Sequence, residues 1–407
     1  MFNKSSIIVG LEVGTTKIVV VVGELPEDGP LSIVGCGQSE SRGICKGEIV
    51  DRSAVETAVR QAIEIAERES NVEIRSVILA VSGGHVRSFD NRGVVRIEPA
   101  SREITTEDIH EVIQRASAYN LPTDRQVLHR FRQNFSVDQF SGVENPLGMV
   151  GERIEADVHV LHGDSSRIGH AVRLIEGMHL QVEECVVAAH ASALGVLSMD
   201  QRSAGALVID IGGGTTDYSV FLNGIQRHAG VLPVGGQHLT NDVALGMGLT
   251  QTQAERMKRE YGTLLEDASL AGRQVSLSGE YGLNVKLVRL DFLSKILRVR
   301  MDEIFQIVRQ ELTDRGVIDR LCGEVVLTGG SARLVGADQL AHQIFGLPAR
   351  VGHITENHGV EAILESPEFS TAVGLVKHGA WKLRQEQSPA ANRSLLQKVK
   401  SYLATFI

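Results

Sequence analysis

Asp210-Ile211-Gly212-Gly213-Gly214-Thr215-Thr216-Asp217 is the stretch on which the fold turns. It joins two apolar runs, Ala206 to Ile211 and Tyr218 to Leu222, that read as the strands of a hairpin. Near the N-terminus, Glu12-Val13-Gly14-Thr15-Thr16-Lys17 joins Ser6–Val13 to Lys17–Val22 in the same way. Each copy places an acid near a strand's end, then a glycine-bearing turn, then two hydroxyls. Glycine lets backbone N–H groups approach an anion with no Cβ in the way, and threonine adds donors. Glu12 and Asp210 are the candidate metal-facing acids, holding Mg²⁺ through its waters because that ion gives up its hydration shell reluctantly. Two such hairpins facing one another would clamp a polyphosphate from both sides. No G-x-x-x-x-G-K-[ST] run occurs, and no complete G-x-G-x-x-G follows a strand, so neither a P-loop nor a dinucleotide fold is indicated.

Further along, Val325 to Arg333 reads as a strand, a tight Gly329-Gly330 turn and a helix start carrying Ser331 and Arg333. Helix N-termini offer unpaired N–H groups to phosphate. Between the second and third elements, Thr250 and Gln253 fit a capping box, and Glu255 and Lys258 share a helical face. That pair reads either as contacts to ribose and base or as a solvated surface ion pair.

Helical spacing is also present over Arg52–Ser70, Thr106–Tyr119, Ala188–Leu197 and Leu290–Thr313, and Val77–Val81 is a short buried strand. From His85 to Asp164 the pattern changes to strand-like pieces around one helix, as in an inserted subdomain. Arg384 to Asn392 reads as a flexible tether. The 407 residues suit two to three domains, and 43% hydrophobic with 22% charged residues excludes global disorder. A net charge of −9 and 4% aromatics argue against a nucleic-acid partner. Cys36, Cys45, Cys185 and Cys322 show no C-x-x-C spacing and read as buried small apolar residues in a reducing compartment. There is no signal-peptide core and no run of about 18 apolar residues, so the chain is expected to be cytosolic and at most peripheral to a membrane.

The order hairpin, hairpin, Gly-Gly turn resembles the actin-type ATPase superfamily. Finer matches resemble its FtsA family of bacterial cell division proteins: Ser82-Gly83-Gly84-His85-Val86 with Asn91-Arg92-Gly93-Val94-Val95, Gly142 to Met149 with Glu155 to His159, and Gly235 to Asp242. The similarity runs from about Ile7 to Leu383. It implies an α/β, actin-like, two-lobed duplicated ATPase fold with an inserted α+β subdomain. The implied first lobe is 1–84 with 165–199 and 367–384, and the inserted subdomain is 85–164. The second lobe is 200–235 with 319–366, its small subdomain is 236–318, and 385–393 is a linker.

The resemblance further implies ATP with Mg²⁺ between the lobes. Its contacts would be Gly14, Thr15, Thr16, Lys17, Gly212, Gly213, Gly214, Thr215, Thr216, Gly236, Glu255, Lys258, Gly329, Gly330, Ser331 and Arg333. It implies self-association into filaments through the inserted subdomain, other divisome partners, and receipt of the FtsZ C-terminal peptide by roughly Gly236 to Ile318, with Arg300 the candidate contact or else a plain exposed helix arginine. Glu12 stands where the family usually has Asp. His129-Arg130-Phe131-Arg132 lacks the family's proline, and its arginines read as solvated strand residues or a filament contact. Hydrolysing actin relatives carry Gln or Glu where this chain has Ala188, and alanine can neither position nor deprotonate water. Glu183 and Glu184 are the nearby acids. Nucleotide is therefore expected to act as an assembly switch with slow turnover at most. The rivals are a small-molecule kinase of the same superfamily, and a rod-shape or pilus-assembly scaffold.

In the last fourteen residues, Leu395, Leu396, Val399, Tyr402, Leu403, Phe406 and Ile407 have the spacing of one helical face, with Arg393, Lys398 and Lys400 alongside. A helix of that length reaches about 21 Å, too short for a ~30 Å hydrocarbon core. Residues 394–407 are thus expected to lie in the interface of an anionic membrane, and the family resemblance implies the cytoplasmic face at the division septum.

Overall fold

The computed structural model describes residues 5–278, 285–354, 358–359 and 366–387. The β-branched N-terminal runs form β1 (Ser5–Val13) and β2 (Lys17–Pro26), paired antiparallel with Val13 opposite Ile18. β3 (Ser32–Glu40) continues the antiparallel order, and β4 (Ile44–Cys45) with β5 (Glu48–Ile49) makes a miniature hairpin. α1 (Arg52–Ser70) is capped by Asp51, whose side chain accepts from the Ala54 amide at 3.1 Å, and it ends on Asn71 in the left-handed region. β6 (Ser76–Val81) then lies parallel to β1.

The inserted unit holds β7 (Arg87–Arg96), β8 (Arg102–Glu103), α2 (Thr106–Ser117), β9 (Arg125–Val137), β10 (Phe140–Val143), β11 (Val150–Gly151) and β12 (Arg153–Asp164). Its sheet runs β10-β9-β12-β7, and α2 buries Ile109, Val112, Ile113 and Ala116 against it. A reciprocal Thr105–Asp108 capping box starts α2. The chain returns through α3 (Ser165–Glu176) to β13 (Gln181–Val187), parallel to β6, and then to α4 (Ala188–Val196) and the short α5 (Met199–Ala204).

The second lobe repeats the plan. β14 (Ala206–Ile211), β15 (Thr216–Leu222) and β16 (Ile225–Leu232) are antiparallel, and α6 (Gly236–Met247), α7 (Gln251–Tyr261), β17 (Gln274–Ser278), β18 (Val285–Arg289) and α8 (Leu290–Asp314) follow. β19 (Glu324–Thr328), α9 (Ala337–Phe345) and β20 (Ala349–Val351) complete a sheet ordered β16-β15-β14-β19-β20. The first lobe's order is β3-β2-β1-β6-β13, the same order built twice, with β21 (His358–Gly359) added beside β3. In both sheets the hairpin turn lies at the carboxyl ends of the parallel strands, where open α/β sheets take their ligands.

α4 and the last described helix, α10 (Ser370–Gln387), fill the space between the sheets. α10 buries Ala372, Val373, Leu375 and Val376 on the first sheet, and α4 buries Ala193 and Val196, with Leu197 just after it, on the second. Their crossing is close: a Cβ at Gly374 would lie 1.7 Å from the Ala191 carbonyl oxygen.

Several expectations are corrected. α10 continues to Gln387, through the first part of the expected 385–393 linker, because its inner face remains packed on the first sheet as far as Ala380 and Leu383. β21 places part of 319–366 in the first lobe's sheet. The Gly329-Gly330 turn opens a single 3-10 turn (Gly330–Arg333), and α9 begins only at Ala337. Cys36 is buried, but Cys45 and Cys322 are exposed, each next to a turn; all four are free thiols. Arg130 is exposed and donates to the Tyr119 hydroxyl, whereas Arg132 is half-buried over the Phe135 ring. Burial, then the neighbouring Arg227, pushes the Arg132 guanidinium down to about 10, so it is not a solvated strand residue. It lies where the inserted unit meets the second lobe: Gln133 Nε2 donates to the Gln226 carbonyl at 2.9 Å, and Arg227 Nη1 donates to Gln133 Oε1 at 2.6 Å.

Candidate functional site

A cavity of about 1580 Å³ runs between the lobes, and both glycine–threonine turns line it. The turns have the same construction. Gly14 N–H donates to the Lys17 carbonyl at 3.0 Å, and Gly212 N–H donates to the Thr215 carbonyl at 2.9 Å. They face each other closely enough that a Cβ on Gly213 would lie 2.4 Å from Thr16 Cγ2, and one on Gly214 would lie 2.4 Å from Thr15 Oγ1.

α6 orients the second turn. The amides of Gly236 and Gln237 donate to the carbonyls of Gly212 and Gly213 at 2.9 and 2.8 Å. In a trans peptide the N–H points opposite the preceding carbonyl, so the Gly213 and Gly214 amides are directed away from α6. That is the arrangement an anion needs. The 3-10 turn at Gly330–Arg333 supplies Ser331 and Arg333 to the cleft wall, and Gly329 adopts φ +82°, where a Cβ would lie 2.3 Å from Asp210 Oδ1.

Three acids, Glu12, Asp210 and Asp217, line the cleft around the turns. Burial pushes the Glu12 carboxyl up to about 7, against the pull of Lys17, and its Oε2 is buried without a partner. Burial raises Asp210, although its Oδ2 accepts from the Thr371 hydroxyl at 2.8 Å. Burial and then Asp210 push Asp217 up to about 7, while it accepts from Ser82 at 2.8 Å and Thr215 at 2.9 Å. The Lys17 ammonium bears on Glu12 and Asp210. Among the described residues no three His, Cys, Asp or Glu side chains converge to ligate a metal directly. An orphaned, buried carboxylate oxygen among like charges fits a hydrated divalent cation, and Glu12's longer arm does not carry its carboxyl out of the cleft.

On the far wall, Lys258 is buried, and its Nζ donates to the Gly236 carbonyl (3.0 Å), to Thr240 Oγ1 (2.9 Å) and to Glu255 (2.6 Å). The Glu255–Lys258 pair is therefore a knot joining α7 to α6 at the cleft wall, its lysine buried and its glutamate half-buried, rather than a fully solvated surface pair. The expected capping box at Thr250 and Gln253 is present.

Of the residues picked from sequence for the nucleotide and metal, every one lines this cleft except Thr216. Thr216 is fully buried, and its hydroxyl donates to the Val234 carbonyl at 2.8 Å. Successive strand residues face opposite ways, so the cleft receives Asp217 instead. Sequence reading missed Asp217, Ser82, Thr240 and Thr371. Strand alternation could have flagged Asp217, but nothing local marks Thr371, which lies far along the chain. Ala188 opens α4 and lines the cleft. Glu183 accepts from Ser76, and Glu184 pairs with His378 and Lys382 at 3.4 and 2.7 Å, so neither takes the place of a water-positioning acid there.

Arg300 lies outside the cleft on α8. It is bound by Asp242 at 2.5 and 3.1 Å and by Glu303, in a groove of about 350 Å³ shared with Phe292, Ile296 and Val299. It is a half-buried, ion-paired residue rather than a plain exposed arginine. Leu395, Leu396, Val399, Tyr402, Leu403, Phe406 and Ile407 lie outside the described residues. Among the described residues no helix is long and apolar enough to cross a membrane.

Two sheets of identical strand order, each ending in a glycine–threonine turn over one cleft, define an actin-like two-lobed protein. Solved structures agree on the fold. A chain of the PilM–PilN type IV pilus biogenesis complex matches with TM-score 0.60 at 17% identity, covering 92% of this chain and 98% of that one. MreB5 of Spiroplasma citri, solved bound to ADP, matches with TM-score 0.56 at 15% identity, over 93% and 98%. The family profile described as cell division protein FtsA matches residues 207–374, and one described as the SHS2 domain inserted in FtsA matches residues 83–162. The cell division protein FtsA of Pseudomonas aeruginosa is 34% identical over 96% of this chain and 94% of its own length. That of Escherichia coli K12 is 33% identical over 92% and 90%. The chain belongs to the FtsA family of cell division proteins.

Proposed function

We propose that this chain binds ATP with Mg²⁺ between its lobes, polymerises on the cytoplasmic face of the membrane at the septum, and anchors the FtsZ ring there. The observation that carries the reading is the face-to-face contact of the two turns above a cluster of buried acids. The amides of Thr15 and Thr16 and of Gly213 to Thr215 would hold the phosphates, with Lys17 and Arg333 adding charge. Glu12 and Asp210 would hold the metal's waters, and Gly236, Glu255 and Lys258 would meet the nucleoside. Bound Mg²⁺ would supply charge neutralisation to the phosphates. Ala188 leaves the helix start without a water-positioning group, so the nucleotide acts as an assembly switch, and turnover falls far below the roughly 10 per second of an ordinary enzyme.

The small subdomain offers the α8 groove around Arg300, with half-exposed Phe292 and exposed Val299, to the FtsZ C-terminal peptide. The inserted subdomain provides the filament contact, and other divisome proteins bind the assembled form. Residues 394–407 settle on anionic lipid, each copy weakly and a filament strongly by avidity.

Deleting 394–407 is expected to leave a folded, nucleotide-binding chain that no longer sediments with anionic vesicles. Sedimentation equal to the full chain's would refute the anchor.

A further inference from the structure

Lys17 and Arg333, the cations placed to meet a triphosphate, are both engaged by one residue. Lys17 Nζ donates to the backbone carbonyl of Glu368, and Arg333 Nη1 donates to both Glu368 carboxylate oxygens at 3.2 Å. Glu368 lies in the 3-10 turn Pro367–Phe369, which leads into α10, and it lines the cleft. That turn is fastened from several sides. The Pro367 carbonyl accepts from Thr328 Oγ1 at 2.9 Å and from the Gly329 amide at 3.3 Å, and Thr371 just beyond donates to Asp210. Lys17 also lies 4.9 Å from the Phe369 ring centroid.

A carboxylate brought to a cleft that already holds Glu12, Asp210 and Asp217 adds like charge, and it persists there because Arg333 binds it. An arginine guanidinium donates to a carboxylate or to a phosphate alike, so the two compete for it. An ammonium has three donors, so Lys17 can keep the Glu368 carbonyl and still reach a phosphate. Competition therefore falls on Arg333.

We propose that Glu368 stands in for phosphate, occupying Arg333 until a triphosphate displaces it, and so acts as a positioning residue that sets nucleotide affinity. This rests on the nucleotide reading above. The displaced carboxylate turns toward the cleft mouth, since Glu368 is only partly buried and Arg333 is exposed.

The test is calorimetric titration of the full chain with MgATP for the wild type, Glu368→Gln, Arg333→Gln and the double variant. Glu368→Gln is expected to tighten binding roughly two- to fivefold, the range of a part-exposed ion pair. Arg333→Gln weakens binding, and in that background Glu368→Gln gives no gain. Glu368→Ser, which also removes the carboxylate, replaces the glutamine variant if the latter does not fold. A wild type that binds while Glu368→Gln is unchanged or weaker overturns the stand-in alone, as does an equal gain with Arg333 removed. A wild type that does not bind MgATP overturns the nucleotide reading and the stand-in together.

Discussion

Gly374→Val is expected to destabilise the chain by at least about 3–5 kcal/mol, above the usual range for overpacking. Even the first carbon of a side chain would lie 1.7 Å from the Ala191 carbonyl oxygen. Elsewhere a helix can retreat from such a clash. Here α10 is pressed against the first sheet and α4 against the second, so separating them opens both cores. The same crossing holds Thr371 against Asp210, which ties the damage to the cleft. Thermal unfolding followed by circular dichroism should show a midpoint lowered by about 10 °C or more, or an insoluble protein. A shift under about 2 °C would mean the two helices do not cross this closely.

Glu12→Gln is expected to separate stability from ligand binding. Burial raises the Glu12 carboxyl to about 7, so the folded state holds a proton that the unfolded state has released. Between the ordinary glutamate value and about 7, stability without metal therefore falls as pH rises, and above that window the full cost of the buried charge is present. Glutamine removes the charge. At about pH 8 the variant should be more stable than the wild type by on the order of 1–3 kcal/mol, and at about pH 4 the two should be nearly equal. Mg²⁺-dependent nucleotide binding should weaken about tenfold or more, because one carboxylate facing the metal's waters is lost. Chemical denaturation at the two pH values, with nucleotide titration in the presence and absence of Mg²⁺, reads both effects. A variant less stable at the higher pH, or one with undiminished Mg²⁺-dependent binding, would contradict the assignment.

Much of the fold was legible because its signals are local. A β-branched run, a glycine–threonine turn and a second apolar run can hardly be anything but a hairpin, and their recurrence exposed the duplication that both sheets share. Arg52–Ser70 was read to its ends from the helical spacing of its apolar residues, and in the structure Asp51 and Asn71 cap it. The misreadings came where distant contacts decide. The chain after Gly329 is held as a 3-10 turn with Gly329 closed against Asp210, and no residue near it announces that partner. Lys258 looks like a surface lysine until α6 is laid against α7. β21 is two residues long and exists only because β3 offers a free edge. Thr216 was a different kind of error, since the alternation of β15 already assigns it to the inner face and Asp217 to the cleft.

The most direct test is a crystal structure of the full chain with Mg²⁺ and a non-hydrolysable ATP analogue. The phosphates are expected to accept hydrogen bonds from amides of both turns, Thr15 and Thr16 on one side and Gly213–Thr215 on the other, with the metal's waters against Glu12 and Asp210. Phosphates held by one turn alone, or a nucleotide bound outside the cleft, would contradict the clamp.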